Sequence, residues 1–285
     1  MIRELFWSSR PLSWVNTAFP FAAAYLLATG RVDLTLVLGT IFFLVPYNLA
    51  MYGINDVFDY ESDLRNPRKG GVEGAVLDRR MHRPTIIASI VTTVPFVIYL
   101  VLVGGPLSWL VLAVSLFAVV AYSAKGLRFK ERPFLDSVTS STHFVSPAVY
   151  GLVLAGAAFT PQLWAVLGAF FLWGMASHAF GAVQDVVADR EGGIASIATV
   201  IGARTTVRLS VVLYLLAGVL LLRTAWPGPL AALLALPYAV SCAQFWNVTD
   251  ESCERANRGW RRFLWLNFAT GFLVTLLLIW WALTR

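Results

Sequence analysis

The chain has 285 residues, 58% of them hydrophobic and 13% charged, with a mean hydropathy of +0.69. A soluble domain is about 45–50% apolar, so this composition excludes a soluble globular protein and reads as an all-α, polytopic membrane protein, with 1–285 as a single transmembrane domain. The net charge of +6 would suit nucleic acid, but the placement of the charges excludes that partner, and two cysteines, Cys242 and Cys253, make no case for a disulfide framework or a metal site.

Residues 1–11 read as an interfacial segment. Phe6, Trp7 and Trp14 suit the headgroup zone, and Arg3 and Arg10 suit anionic lipid. Glu4, Trp7 and Arg10 break up any signal-peptide pattern, so the first span is expected to act as its own insertion signal. Nine stretches are long enough to cross a bilayer, at about 17–25 residues each. They fall at roughly 12–29, 33–53, 84–103, 106–123, 135–157, 162–184, 205–223, 228–247 and 263–283. Of the 22 Lys and Arg, only Arg31, Arg223 and Arg285 fall on one side of this arrangement. The basic side is expected to be cytoplasmic, which puts the N-terminus inside and the C-terminus outside the cell membrane.

The second span contains Pro46, which is expected to kink it. Its end carries Tyr47, Asn48, Tyr52 and Gly53, polar enough to line a cavity. The run Asn55-Asp56-Val57-Phe58-Asp59-Tyr60-Glu61-Ser62-Asp63 follows. On a helix Asp56, Asp59 and Asp63 share one face. Three like charges that close need a cation, and Mg²⁺ commonly binds through one or two carboxylates plus substrate phosphates. Arg65, Arg68 and Lys69 in the next loop could meet the remaining charge of a diphosphate or simply set the topology; both roles can hold. His82, at the end of that loop, reads as interfacial rather than as a ligand.

Gly104-Gly105-Pro106 makes an outer turn between spans three and four. Span four ends in a second basic segment, Tyr122-Ser123-Ala124-Lys125-Gly126-Leu127-Arg128-Phe129-Lys130-Glu131-Arg132-Pro133. Asp136, Ser137, Ser140, Ser141, Thr142 and His143 then give span five a polar start, expected to line the mouth of a cavity. His143 reads as a hydrogen-bonded structural residue before it reads as a base. Span six carries His178 and Gln184 and leads into Asp185-Val186-Val187-Ala188-Asp189, whose two acids again share a helical face. A single such pair could be a solvated helix end. Two acidic runs on the same side of the membrane point instead to a clamp for Mg²⁺ and diphosphate. Residues 190–194 read as a loop, and 248–262 as a charged inner loop holding Cys253.

These residues resemble a known family. Asn55-Asp56-x-x-Asp59-x-x-x-Asp63 followed by Asn66-Pro67-Arg68 is similar to the first motif of the UbiA-type intramembrane prenyltransferases. Asp185-x-x-x-Asp189, with Arg190, Gly193-Ile194 and Gly202, is similar to the second, and Tyr122-Ser123 with Arg128, Lys130, Arg132 and Pro133 resembles the basic loop after the fourth helix. One departure stands out: many members carry a further acid just ahead of the second motif, where this chain has Ala182 and Val183 before Gln184. Tyr52 to Glu61 and His178 to Asp189 look closest to the lycopene elongase branch.

The resemblance implies a nine-helix bundle with a central cavity opening toward the cytoplasmic side. It implies Mg²⁺ held by Asn55, Asp56, Asp59, Asp63, Asp185 and Asp189, with Asp56, Asp59, Asp185 and Asp189 catalytic. Asn55, Arg68, Tyr122, Arg128 and Lys130 would hold the diphosphate of the prenyl donor, and Gln184 is expected to supply an oxygen in place of the missing acid. The implied reaction moves a dimethylallyl group from dimethylallyl diphosphate to the end of lycopene, in the lipid bilayer, on the way to C50 carotenoids, with other carotenoid-pathway enzymes as partners. The alternative is an aromatic, quinone-precursor or lipid acceptor. A transporter is disfavoured, because acidic residues sit at span ends rather than at midplanes.

Overall fold

The computed structural model describes residues 1–60 and 77–284, and these form helices and turns without a strand among them. Asp63 and Arg68 lie outside the described residues. Six helices among them are long and apolar enough to cross a membrane by length and composition: Leu34–Phe58, Arg79–Val103, Pro106–Ser123, Pro161–Val183, Ala203–Leu221 and Cys253–Leu283. The other three expected spans also contain helix. Val15–Thr29 has only 15 residues, Leu135–Leu154 opens with a polar stretch, and Gly228–Ala243 is a 3₁₀ run that becomes α-helical at Ala235.

The chain divides into two compact units. The first comprises Met1–Phe129 with Thr142–Ala157. It contains α1 (Ile2–Ser8), α2 (Val15–Thr29), α3 (Leu34–Leu44), α4 (Pro46–Phe58), α5 (Arg79–Val103), α6 (Pro106–Ser123) and the later part of α7 (Leu135–Leu154). Its core is aromatic. Phe21, Phe42, Phe43, Tyr47 and Tyr150 are fully buried. Phe42 and Phe43 meet edge-on at 4.8 Å, and Phe21 and Phe43 lie 5.2 Å apart. A Cβ on Gly151 would stand 2.9 Å from the Phe21 carbonyl oxygen, so this glycine lets α7 approach α2.

The kink expected at Pro46 is present, splitting the second span into α3 and α4. Proline cannot donate a backbone N–H, and carbonyls freed in a membrane need other donors. Asn48 Nδ2 donates to the carbonyls of Phe43 at 2.8 Å and Leu44 at 3.0 Å, and Thr17 Oγ1 donates to that of Phe43 at 2.7 Å. Asn48 is fully buried. It therefore repairs the kink rather than lining a cavity.

The second unit comprises Lys130–Ser141 with Ala158–Arg285. It holds the first turns of α7, then α8 (Pro161–Val183), α9 (Val186–Glu191), α10 (Ile197–Ile201), α11 (Ala203–Leu221), α12 (Ala235–Ala243) and α13 (Asn257–Leu283). Its core joins Phe180, Val183, Val207, Tyr214, Tyr238 and Phe263. Trp260 stacks on Phe263 at 4.7 Å. Both cysteines are buried thiols. Cys253, expected in the charged inner loop, sits fully buried in a 3₁₀ turn that leads straight into α13.

Candidate active site

The first acidic run ends a helix. The N–H of Asp59 closes the last turn of α4 on the Asn55 carbonyl at 2.9 Å, and Asp59 itself is the cap. This keeps Asp56 and Asp59 one turn apart on one face, as their spacing predicts. Both are buried, at 1% and 7% exposure. Buried carboxylates need counter-charges and donors, and each has them. Ser8 Oγ donates to Asp56 Oδ2 at 2.9 Å, and Arg10 Nη2 donates to Asp56 Oδ1 at 2.7 Å. The Arg10 guanidinium also lies over the Tyr52 ring, 4.6 Å from its centroid. Asn55 Nδ2 donates to Asp59 Oδ2, and Arg128 Nη2 stands 3.9 Å from Asp59 Oδ1.

Arg10 and Ser8 are the residues that sequence reasoning missed. Arg10 is expected at the lipid headgroups, but the structure turns it onto Asp56. No local pattern pairs positions 46 apart. Arg10 and Arg128 have φ of 51° and 41°, a left-handed backbone uncommon outside glycine. Such strain is held where the surroundings over-determine it, and it clusters at functional sites.

Tyr122, expected beside the diphosphate, is half-buried and meets His143 edge-on at 5.3 Å. His143 is buried at 3% exposure. Lys130 belongs to the second unit and sits on the 3₁₀ turn Phe129–Glu131.

The second acidic run keeps helical register through a break. α8 ends at Val183, Gln184 caps it, and Asp185 opens α9. The Asp189 N–H bonds the Asp185 carbonyl at 2.8 Å, so the two acids stand one turn apart, both partly exposed. The segment 190–194, expected as a loop, starts inside α9 and turns only at Gly192 and Gly193. Gly193, at φ 68°, lets the Ile194 N–H return to the Asp189 carbonyl at 2.8 Å. Gln184 is buried, and its Oε1 accepts from Asn257 Nδ2 at 2.6 Å, while Cys253 Sγ lies 3.6 Å from the Gln184 carbonyl. The side-chain oxygen expected to replace an acid is thus engaged by α13.

Arg190 braces the run from outside. It donates to Asp250 Oδ2 at 2.6 Å and to the Thr199 carbonyl at 2.7 Å. Asp250 Oδ1 in turn accepts from the Ala203 N–H at 2.7 Å at the start of α11. Desolvation alone would raise the Asp250 pKa, but the Ala203 N–H and the Arg190 guanidinium outweigh it and hold the carboxyl below its ordinary value.

Asp136 is expected at a cavity mouth, but it has no exposed surface. Its carboxylate accepts from the N–H groups of Ser137 and Ile197, each at 2.7 Å, tying the start of α7 to α10. Beside it, Ser137 Oγ and His178 Nδ1 are 3.1 Å apart.

Among the described residues, no group of three or more His, Cys, Asp or Glu comes together as a metal cage. Pairs of carboxylates suit Mg²⁺ nonetheless, because this ion completes its shell with substrate phosphates and water. Asp56 with Asp59, and Asp185 with Asp189, are hard oxygen donors of that kind.

The UbiA prenyltransferase family profile matches residues 17–268. Over 281 residues the chain is 63% identical to the C(50) beta-cyclic carotenoids biosynthesis protein LbtBC of Dietzia sp. (strain CQ4), covering 98% of this chain and 65% of that protein's length. Over 278 residues it is 58% identical to a protein of Corynebacterium glutamicum named Lycopene elongase/hydratase, covering 98% of this chain and 97% of that one. In fold it is similar to a UbiA homolog from Archaeoglobus fulgidus solved bound to GPP and Mg²⁺, with a TM-score of 0.68, 18% identity, and coverage of 94% of this chain and 99% of that one. With its apolar helices and two acidic runs, this chain is a multi-pass membrane protein that belongs to the UbiA prenyltransferase family.

Proposed function

We propose that the chain transfers a dimethylallyl group from dimethylallyl diphosphate to the end of lycopene, with Mg²⁺, in C50 carotenoid biosynthesis. The observation that carries this reading is the 58% identity, over nearly the full length of both chains, to the Corynebacterium glutamicum protein named Lycopene elongase/hydratase. We further propose nine spans, with the N-terminus in the cytoplasm and both acidic runs near that face.

Mg²⁺ would neutralise diphosphate oxygens and make the group leave. Asp56, Asp59 and Asp63 of the first run and Asp185 and Asp189 of the second would hold it. Asn55 orients Asp59 through its amide. Arg68, Arg128 and Lys130 would hold the remaining phosphate charge as it develops, with Tyr122 beside them. Arg10, on Asp56 and over Tyr52, fixes the first carboxylate in place. The allyl cation needs a dry, aromatic surrounding, and the acceptor's terminal alkene attacks it. Lycopene and its products stay in the bilayer, so the enzymes that supply and consume them are the expected partners.

The test is expression in a lycopene-producing bacterium with mass spectrometry of the pigments, alongside Asp56→Ala. Pigments heavier by one or two five-carbon units, absent in the variant, support the reading. Unchanged lycopene, with the protein present in the membrane, would sink it in favour of an aromatic, quinone-precursor or lipid acceptor.

A further inference from the structure

α11 carries an arginine within a helix long and apolar enough to cross the membrane. Arg208 follows the first residue of that helix, Ala203, by about 7.5 Å along the axis. A charge on a membrane helix is costly unless something pairs with it, and such a residue marks a site. Asp250, at the start of the same helix, is taken by Arg190 and by the Ala203 N–H. Among the described residues no carboxylate pairs with Arg208, and its Nε is buried without a hydrogen-bond partner. Its guanidinium lies instead over the Trp246 ring, 5.0 Å from the centroid. Trp246 is exposed, on the turn that follows α12. Arg204, one helical turn before Arg208 on the same face, is exposed as well. Arg262 Nη1 donates to Gln244 Oε1 at 2.6 Å, which brings a guanidinium from α13 to the same turn. Beyond Arg208 this face of α11 becomes apolar and stays exposed through Val212, Leu215 and Val219. α12, which packs against α11, exposes Leu236 and Val240.

We infer that Arg208, stacked on Trp246 and joined by Arg204, binds the phosphate of an anionic phospholipid of the surrounding bilayer. The two halves of such a lipid match the two halves of this helix face. The phosphodiester meets the arginines, and the acyl chains cover the apolar ladder beyond them. Stacking occupies the flat side of a guanidinium and leaves its edge free to fork onto phosphate oxygens. Trp246 thus holds the Arg208 side chain in one orientation before the lipid arrives. A zwitterionic lipid offers the same phosphate but carries an ammonium, which the arginines repel. A free phosphate or diphosphate has no chains to cover the apolar face. Basic pockets between membrane helices take anionic headgroups for these reasons. The site stands apart from the transfer chemistry proposed above and does not depend on it.

The experiment is native mass spectrometry of the purified chain in detergent, titrated with dioleoyl phosphatidylglycerol or dioleoyl phosphatidylcholine. It compares wild type, Arg208→Gln, Trp246→Ala and, as a control beyond the far end of α11, Arg223→Gln. A basic residue at an anionic lipid surface contributes about fivefold in affinity. The wild type should bind its first phosphatidylglycerol at least about fivefold more tightly than phosphatidylcholine. Arg208→Gln should lose that preference, Trp246→Ala should lose part of it, and Arg223→Gln should keep it. Equal binding of the two lipids by the wild type would overturn the inference, as would a full preference in Arg208→Gln. An equal fall for both lipids in Arg208→Gln would also overturn it, since that marks lost packing. Displacement of the lipid by an equal concentration of inorganic phosphate would overturn the lipid assignment in favour of a simple phosphate site. If Arg208→Gln cannot be purified, an unchanged preference in Trp246→Ala overturns the inference.

Discussion

Replacing Arg10 by methionine tests the part of the site that no sequence pattern showed. The Asp56 side chain is fully buried and that of Arg10 is 19% exposed, so their 2.7 Å pair is shielded from water. Methionine keeps much of the apolar stem and removes the charge. Breaking a buried pair by deleting one partner costs about 3–5 kcal/mol, because the other charge stays behind. Ser8 still donates to Asp56 Oδ2, which points to the lower end, about 3 kcal/mol. At roughly 2–4 °C per kcal/mol for a chain somewhat shorter than this one, the melting temperature should fall by roughly 6–12 °C. The assay is a thermal melt in detergent followed by tryptophan fluorescence, for Arg10→Met, Asp56→Asn and the double variant. Residues in contact couple by about 0.5–3 kcal/mol, so the double variant should lose less than the sum. Strict additivity, or a fall under about 2 °C in Arg10→Met, would refute the pairing.

Asp56→Ala and Asp185→Ala should each lower turnover at least about a hundredfold while the protein remains inserted, and a chelator should stop the wild type reversibly; turnover in excess chelator would remove the metal from the mechanism. Asp250 is held below its ordinary pKa, so its stabilisation is present above the ordinary carboxylate range and lost as pH falls through the depressed value. Melts of wild type and Asp250→Asn should therefore differ at neutral pH, with the gap beginning to close only as pH falls below the ordinary carboxylate value of about 3.9; a gap that persists in strong acid would contradict the Arg190 and Ala203 contacts. Gly151→Val should impair folding through its clash with the Phe21 backbone, measured as loss of monodisperse protein after extraction. A C-terminal tag should be reachable only from outside the cell; labelling from the cytoplasm would overturn the proposed odd number of spans.

What was legible in the sequence is what depends on near neighbours. Asp56 and Asp59, or Asp185 and Asp189, share a face because helical spacing places them there, even where α8 breaks before Asp185. The Pro46 kink follows from a missing N–H. What the sequence hid is where each buried polar group finds its partner. Asn48 reads as a cavity residue until Phe43 and Leu44 are seen to need its amide. Asp136 reads as a residue of a cavity mouth until the Ile197 N–H reaches it across 61 positions. Arg10 reads as a lipid anchor until Asp56 claims its charge. Composition and period say that a group is polar and which way it faces; only the fold says what satisfies it.

The two acidic runs also differ in how they are held, and the difference bears on the acid this chain lacks. Asp56 and Asp59 are buried, and arginines from distant segments stand on them. Burial raises the cost of an unpaired charge, so these carboxylates are fixed by counter-charge. Asp185 and Asp189 are partly exposed, and the chain on both sides of them is held: Asn257 and Cys253 grip Gln184 ahead of them, and Arg190 is locked to Asp250 and Thr199 behind. An amide at Gln184, tied to Asn257, supplies rigidity there without a further charge. The second pair is thus flanked by neutral bonds on one side and by a charged strut on the other.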